Sequence, residues 1–186
     1  TADILTDGRF IHGGARGAFP WEMTRVGTPI AHSKEKFTES LEVLQKLLSE
    51  EEVSFSGKYY NFEALTIMPR PITKPIPIMI AAMDPNSIKN AALRGFHVQS
   101  TVLSGTRELL MERVNAFRDG CEEIWEKWKL LKHSMQRMMF VAKDEKDAEI
   151  KNKLAYEYYK RFDNMFTGPG KVKNGNIIPL PRKQSF

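Results

Sequence analysis

The stretch that decides the fold is IMIAAMDPNSIKNAALRGFHVQSTV, which occupies residues 78–102. Its first five residues, Ile78–Ala82, have no polar face, which predicts a short strand buried on both sides. Asp84 is a typical N-cap residue and Pro85 suits the first helical position, so a helix is expected to begin there and to end at Gly95. The last five residues, VQSTV, predict a second short strand.

The chain before residue 78 carries the same alternation. Arg9–Ala15 (RFIHGGA) predicts a short buried strand, and Arg16–His32, rich in Gly, Pro and Thr, predicts a loop. Ser33 can cap the next helix, whose apolar residues recur at helical spacing: Phe37, Leu41, Leu44, Leu47 and Leu48. Val53–Phe55 and Lys58–Asn61 then predict a small hairpin. A proline-rich stretch, PRPITKPIP, follows and favours an extended connector.

The chain after residue 102 adds two further helices and one strand. Thr106 can cap a long helix that runs to about Leu130. The apolar stripe of this helix consists of Leu110, Val114, Phe117, Cys121, Ile124 and Trp128. Met135–Ala142 predicts a strand, Asp147–Phe162 predicts an amphipathic helix, and the tail from Thr167 is rich in Gly and Pro. Alternating strands and helices are typical of βα units around a parallel sheet, and four strands are fewer than the eight of a closed barrel.

Composition excludes several classes of protein. The 186 residues are 41% hydrophobic and 27% charged, which is typical of a globular chain with enough residues for one large or two small domains. No run approaches the roughly 18–20 apolar residues of a membrane span, and no secretory signal opens the chain. The single cysteine, Cys121, excludes an internal disulfide and a thiol-rich metal site, and it favours a reducing, cytoplasmic setting.

The net charge of +5 admits anionic partners without requiring them. Basic residues are scattered among acidic ones in every helical stretch, which favours a solvated surface of mixed sign. No RNP, helix-turn-helix or zinc motif is present, so neither a nucleic-acid partner nor a membrane partner is expected. The chain opens on Thr1 rather than Met and reaches a strand almost at once, so we expect a piece of a longer protein.

Four stretches together resemble the bacterial luciferase-like flavin monooxygenases. They are TDGRFIHGGARG, VGTP…SKEKFTESLEVLQKLL, GKYYNFEALTIMPRPITKPIPIMIAA and MDPNSIKNAALRG. The resemblance covers residues 1–165 and implies an α/β fold, a partial (β/α)8 TIM barrel with about strands 4–7 and their helices. Residues 1–165 would form the partial barrel domain and residues 166–186 an irregular tail. The first three βα units and the last one would lie outside this sequence.

The resemblance also implies a site for the cofactor phosphate. Arg16 follows the first strand at the end that faces the active site in a barrel, where the family uses an arginine to hold the phosphate. The family places the same phosphate against the backbone near Met83 and the hydroxyl of Ser87, at the start of a helix. Asp84 opposes this interpretation, because as an N-cap it would occupy those donors and repel a dianion.

Four other residues admit two interpretations each. Lys34 stands where the family often has an arginine directed at the phosphate, and it could equally be a solvated lysine. Phe19 and Trp21 could wall an apolar substrate pocket or be core contacts of a fragment. Strand alternation places His12 on the face opposite Ala15, towards the helices, which favours packing. The remaining histidines show no metal-ligand spacing, so no metal is expected: His32, His97 and His133.

The function implied by the resemblance is a flavin-dependent monooxygenase. Reduced FMN would be the co-substrate, O2 and a small organic molecule the substrates, and a flavin reductase the partner. An F420-dependent oxidoreductase on the same barrel, which transfers hydride without O2, is the close alternative. A non-catalytic flavin-binding or structural remnant is an alternative from another class, and a homo- or hetero-oligomer is left open. No nucleophile–base pair emerges and the family's histidine bases would lie outside this sequence, so no catalytic residue is assigned.

Overall fold

The computed structural model describes residues 1–101, 106–124, 130–137, 139–165, 167–168 and 170–180. The chain divides into two compact units. One unit contains Thr1–Arg16 and Ile30–Arg137, and the other contains Gly17–Pro29 and Met138–Phe186. Among the described helices, none combines the length and the apolar character that a bilayer crossing requires.

The described residues form six helices and eight short strands. The helices are α1 (Ala2–Leu5), α2 (Pro20–Arg25), α3 (Ile30–Ser49), α4 (Pro85–Leu93), α5 (Arg107–Glu123) and α6 (Glu145–Met165). The strands are β1 (His12–Gly14), β2 (Val53–Ser56), β3 (Asn61–Leu65), β4 (Ile78–Ala81), β5 (His97–Thr101), β6 (His133–Gln136), β7 (Val172–Lys173) and β8 (Asn176–Ile177).

The central sheet has four parallel strands in the order β1-β4-β5-β6. This order confirms the predicted parallel sheet with neighbouring strands in chain order. All four strands therefore present their carboxyl ends at one edge, which we call the carboxyl edge. The architecture is the α/β arrangement expected of part of a barrel.

One face of the sheet holds the core of this unit. Ile78, Ile80 and Val98 are buried there and pack against α3 and α4 through Leu41 and Ile88. The helix α5 adds Ala116 and Phe117 at the border of the same cluster. Ile88 is fully buried, and burying such a side chain stabilises a fold by about 1.5–3 kcal/mol.

The opposite face of the sheet is not the apolar surface that a barrel interior suggests. Register aligns Gly13 with Met79, and it aligns Ala81 with Gln99. Gln136 pairs with Thr101, and both Gln99 and Gln136 are exposed. This face therefore presents small and polar side chains beside Met79.

Three predictions were wrong on the amino-terminal side of the sheet. The strand expected at Arg9–Ala15 is only His12–Gly14, because pairing with β4 begins at His12 and ends at Gly14. The helix expected to begin at Ser33 begins at Ile30, and Ser33 is buried inside it with Oγ donating to the Ile30 carbonyl oxygen at 2.7 Å. The stretch predicted as a loop, Arg16–His32, contains the short helix α2, with Pro20 at its first position.

The predicted hairpin is present, but its second strand is Asn61–Leu65 and not Lys58–Asn61. The backbone N–H groups of Lys58, Tyr59 and Tyr60 all donate to the carboxylate of Glu39 on α3, at 3.1, 2.8 and 2.8 Å. Because these donors turn towards α3, they are lost to a strand ladder. The turn is therefore longer than Ser56-Gly57.

Three predictions beyond residue 100 also need correction. The strand expected at Met135–Ala142 is His133–Gln136, because pairing with β5 begins at His133; Met139, Phe140 and Val141 are exposed, and Met138 lies outside the described residues. The helix capped by Thr106 ends at Glu123, and the predicted positions Val102 and Trp128 also lie outside the described residues. The helix predicted at Asp147–Phe162 extends over Glu145–Met165.

The second unit contains α2, α6 and the small antiparallel hairpin β7–β8. The side-chain amide of Asn164 donates to the Ile178 carbonyl at 2.6 Å, and the Leu180 N–H donates to the Lys160 carbonyl at 3.1 Å. These bonds attach the segment after the hairpin to the last turns of α6.

Candidate functional site

The carboxyl edge brings together two of the predicted cofactor residues. β1 ends at Gly14 and β4 at Ala81, so Arg16 and Met83 each follow a neighbouring parallel strand by two residues. Neighbouring strands lie about 4.8 Å apart. Arg16 is exposed, and its side chain has no hydrogen bond or ion pair to another residue in the described part of the chain. It is a cation with its donors available at this edge.

The start of α4 shows how the residues 84–87 are engaged. Asp84 has extended backbone angles and acts as the N-cap, as predicted. Its Oδ2 atom accepts the Ser87 N–H at 2.9 Å and the Ser87 hydroxyl at 3.0 Å. The Ser87 hydroxyl that the resemblance assigns to a phosphate is therefore held by the Asp84 carboxylate, together with the Ser87 N–H.

The position of Lys34 in α3 differs from the one that the sequence predicted. It is in the second turn of α3 and not at the helix start, and it is exposed. It lines a shallow groove with four residues of the same helix: Glu35, Thr38, Glu39 and Glu42. In the described residues no hydrogen bond links Lys34 to Arg16 or to the turn at 83–87. The groove is acidic, which favours a cation as its neighbour over an anion.

Arg113 on α5 is a residue of the carboxyl edge that the sequence reasoning missed. It is 5% exposed. Its Nε–H donates to the Met83 carbonyl at 2.8 Å and its Nη1–H to the Thr101 carbonyl at 2.9 Å. One guanidinium thus joins the segment that follows β4 to the end of β5.

The signal for this residue was present in the helical spacing. Arg113 precedes Phe117 by four residues and Cys121 by eight, so it continues a buried ridge of α5. Arginines in an amphipathic helix usually lie on the solvated side, so the spacing alone does not single out Arg113.

His133 lies close to Arg113 on the face of the sheet covered by the helices. Its Nε2 atom is 2.8 Å from the hydroxyl of buried Ser100, and its ring is 5.1 Å from the Phe117 ring. Burial, followed by the positive charge of Arg113, holds the pKa of His133 below its ordinary 6.5. His133 is therefore a neutral, packed histidine at neutral pH.

Phe19 and Trp21 belong to the second unit. Phe19 is the N-cap of α2 and Trp21 lies in its first turn, with ring centroids 5.9 Å apart, and both side chains are half-buried. The Arg25 guanidinium lies 5.1 Å from the Trp21 ring centre. The Trp21 Nε1 atom is buried and has no hydrogen-bond partner in the described part of the chain. An indole N–H without a partner is costly, which makes this atom a candidate ligand contact.

The contacts of His12 and His97 are those of packed side chains. His12 is aligned with Ile78 in the register, on the face covered by the helices. The Lys132 N–H donates to Nδ1 of His97 at 3.1 Å, and burial is the main cause that lowers the pKa of His97. Within the described ranges, no three His, Cys, Asp or Glu side chains come close enough to share a metal ion.

The sequence relatives are longer proteins, and this chain matches only part of each. The oxygenase component of the flavin-dependent trigonelline monooxygenase of Acinetobacter baylyi is 29% identical over 185 residues, 96% of this chain and 50% of that protein. An F420-dependent glucose-6-phosphate dehydrogenase of Kineococcus radiotolerans is 34% identical over 125 residues, 66% of this chain and 36% of that protein. The chain thus spans half or less of the length of these curated relatives.

Solved structures show the same fold. The monooxygenase RslO1 from Streptomyces bottropensis has a TM-score of 0.76 at 26% identity, covering 89% of this chain and 51% of that one. The oxygenating constituent of the 3,6-diketocamphane monooxygenase from Pseudomonas putida, solved with FMN, has a TM-score of 0.69 at 18% identity, covering 88% and 49%. At that identity the second likeness concerns the fold alone.

A family model described as luciferase-like monooxygenase matches residues 1–182, nearly the whole chain. The match includes the GGARG stretch, which contains Arg16, and the strand, turn and helix around Asp84. These two segments meet at the carboxyl edge. The chain therefore belongs to the luciferase-like monooxygenase family.

Proposed function

We propose that this chain is the phosphate-binding part of a flavin-dependent monooxygenase that uses reduced FMN and O2 on a small organic substrate. The observation that carries the proposal is the position of Arg16. It leaves β1 beside the turn that leaves β4, exposed and without a partner in the described part of the chain. The proposed binding set is Arg16, Lys34, Met83, Asp84 and Ser87.

The donors at the carboxyl edge fit a phosphate in charge and in number. Arg16 offers a guanidinium that can hold two phosphate oxygens. The first turn of α4 offers N–H groups and the positive end of a helix dipole. For Ser87 to join them, its N–H and hydroxyl must leave Asp84, whose exposed carboxylate can turn to solvent.

The chemistry would belong mainly to the cofactor. A bound reduced flavin supplies the reaction with O2 that transfers an oxygen atom to the substrate. The residues of this chain would bind and orient the phosphate end, and no catalytic residue is assigned among them. In the proposal residues 1–165 form the barrel part, residues 166–186 form its tail, and a flavin reductase supplies the reduced flavin. The reductase is supported by the trigonelline relative, which is called an oxygenase component.

The second candidate is an F420-dependent oxidoreductase. It is supported by the relatives that are F420-dependent glucose-6-phosphate dehydrogenases, at 34% and 30% identity over 125 residues each. F420 also carries a phosphate, so the same edge suits both cofactors.

For the substrate, we propose that Phe19 and Trp21 wall an apolar pocket. The support lies in their own segment, where the buried Trp21 Nε1–H has no partner in the described residues. A substrate with a carboxylate or carbonyl oxygen would satisfy this donor. Trigonelline, which carries a carboxylate, is the first probe. Calorimetry with the unsubstituted chain and with Trp21→Phe should show binding that the substitution weakens, and equal binding would remove Trp21 from the pocket.

The proposed function is tested by titrating the chain with FMN, riboflavin and F420 and following cofactor fluorescence. Riboflavin has the same ring system as FMN but no phosphate. FMN is expected to bind at least about tenfold more tightly than riboflavin, the effect of one charge-assisted phosphate contact. Tight binding of F420 with weak binding of FMN would select the second candidate. Equal binding of FMN and riboflavin would contradict the phosphate site.

A further inference from the structure

Arg113 is a buried cation that no carboxylate of the described residues balances. It is 5% exposed, and in the described part of the chain it forms no ion pair. Its two hydrogen bonds go to backbone carbonyl oxygens, those of Met83 and Thr101. A buried charge without a counter-charge is unfavourable, and carbonyl dipoles offset only part of that cost.

The Arg113 guanidinium binds at the carboxyl edge of the sheet. Met83 opens the turn that leads to Ser87, and Thr101 is the last residue of β5. Both carbonyl groups therefore lie at the carboxyl edge, and Arg113 reaches them from α5. The proposed phosphate residues Met83 and Ser87 belong to the same turn.

We propose that Arg113 is a positioning residue for the cofactor phosphate. Its two hydrogen bonds hold the Met83–Ser87 turn against β5, and its buried charge attracts the phosphate to that turn. The inference rests on the proposed function and adds a residue to it. In this proposal Arg113 does not contact the phosphate itself and acts through the Met83 backbone, whereas Arg16 would bind the phosphate directly.

The geometry explains why an arginine occupies this position. Nε and Nη1 donate from different edges of the planar guanidinium to two separate carbonyl oxygens, at 2.8 and 2.9 Å. A lysine would keep the charge but could not reproduce the fixed fork. The acidic side chain nearest in sequence to these carbonyls, Asp84, is engaged by Ser87 and forms no ion pair with Arg113.

Binding of FMN and riboflavin to Arg113→Met and Arg113→Lys tests the proposal. Methionine fills similar space without charge, and lysine keeps the charge. Arg118→Met is the matched control, because Arg118 is exposed on the same helix. Arg113→Met should weaken FMN binding by about tenfold, the scale of a buried charge acting over a few ångströms. Riboflavin binding should stay unchanged, and Arg113→Lys, which keeps the charge but cannot reach both carbonyl oxygens in the same way, should restore only part of the FMN affinity.

The outcomes separate a phosphate role from a structural one. Equal losses of FMN and riboflavin binding would overturn the proposal, because they would show that Arg113 only stabilises the packing between the ends of β4 and β5. An unchanged FMN affinity in Arg113→Met would overturn it as well. If the unsubstituted chain itself prefers neither cofactor over riboflavin, the proposed function fails, and the inference is decided by inorganic phosphate alone.

A measurement without cofactor covers that case and any loss of folding. Backbone amide NMR signals of Met83, Asp84, Asn86 and Ser87 should shift on addition of inorganic phosphate in the unsubstituted chain and in Arg113→Lys, but not in Arg113→Met. The His133 ring signals should titrate at a higher pH in Arg113→Met, because a nearby positive charge is gone. A phosphate response independent of Arg113 would overturn the inference. An unmoved His133 titration would show that the Arg113 charge does not act on the groups around it, and it would overturn the inference too.

Discussion

Ser87 gives both of its hydrogen-bond donors to one oxygen atom of Asp84, the backbone N–H at 2.9 Å and the hydroxyl at 3.0 Å. Both donors of Ser87 are therefore satisfied within the chain. Any anion that binds there has to displace a carboxylate of the same charge sign. If the proposed function holds, that competition sets the affinity of the turn for the cofactor phosphate.

Replacing Asp84 by Asn tests the competition. Asparagine is as good an N-cap as aspartate, so the free energy of unfolding should change little. The negative charge at the helix start disappears, and FMN should bind about two- to fivefold more tightly, the effect of one charge at a helix N-terminus. Fluorescence titration measures this, with riboflavin as the control that should not respond. An unchanged FMN dissociation constant would place the phosphate away from α4.

Replacing Arg16 by Ala should weaken FMN binding by about 1.5–3 kcal/mol, the range of a hydrogen bond to a charged group. The physical reason is the loss of the exposed cation that follows β1. Riboflavin binding should not change, and Arg118→Ala serves as the control for removing one positive charge. Equal FMN dissociation constants for the unsubstituted chain and Arg16→Ala would make Arg16 a bystander.

Replacing Gly57 by Ala should destabilise the chain through Glu39. A Cβ atom at Gly57 would meet the Glu39 carboxylate, and it would lie 2.7 Å from Phe55 Cε1. Glu39 cannot easily move, because three backbone N–H groups hold it. The cost should be about 1–3 kcal/mol, as for other cases of overpacking. Urea denaturation gives the free energy of unfolding.

A double-mutant cycle isolates the cause of that cost. In the Glu39→Ala background the carboxylate is absent, so Gly57→Ala should cost clearly less than it does alone. Glu39→Ala by itself should also be destabilising, since three N–H groups lose their acceptor. Strictly additive effects of the two substitutions would show that Gly57 and Glu39 do not interact.

Asp3 predicts an acid-dependent stability. It is 2% exposed and accepts the N–H groups of Ile72 and Thr73, both at 2.8 Å, and the Thr73 hydroxyl at 3.0 Å. These bonds, that of the Thr73 N–H above all, hold the pKa of Asp3 below its ordinary 3.8 despite the opposing effect of burial. A carboxyl with a lowered pKa stabilises the fold fully above its unfolded value, and the effect is lost as pH falls below 3.8 through the folded pKa.

Asp3→Asn should therefore unfold more easily than the unsubstituted chain at pH 6, and the two should converge as the pH falls below 3.8. Denaturation curves at a series of pH values measure the difference. Asp7→Asn is the matched control, because Asp7 is exposed and its positive φ of 52° suits asparagine equally well. A difference between Asp3→Asn and the unsubstituted chain that does not depend on pH would refute the assignment.

The parts of the fold that follow from local chemistry could be predicted. Asp84 and Pro85 determine the start of α4 as its N-cap and first helical residue. The short apolar run before them forms the buried strand β4, as its composition predicts. Thr106 likewise caps α5 through its hydroxyl, which accepts the Leu109 N–H at 3.4 Å. In each case the decisive partner lies within a few residues.

The parts that depend on distant partners could not be predicted. Ser33 looks like a cap but lies inside α3 because the helix continues one turn further back. The turn at Lys58–Tyr60 exists because Glu39, on another element, holds its N–H groups. Arg113 belongs to the candidate site only through carbonyl groups on two strands. No short window of sequence contains such pairs.

The strand order has a consequence for how this sheet assembles. β4 pairs with β5 and β5 pairs with β6, each across one helical connection. β1 pairs with β4 across α2, α3 and the hairpin, the longest excursion in the sheet. Closing a long loop costs more entropy than closing a short one, so β4–β5–β6 should nucleate folding and β1 should dock late. Arg16 would then reach the turn at Met83 only in the last step of folding, which would make phosphate affinity a marker of the completed sheet.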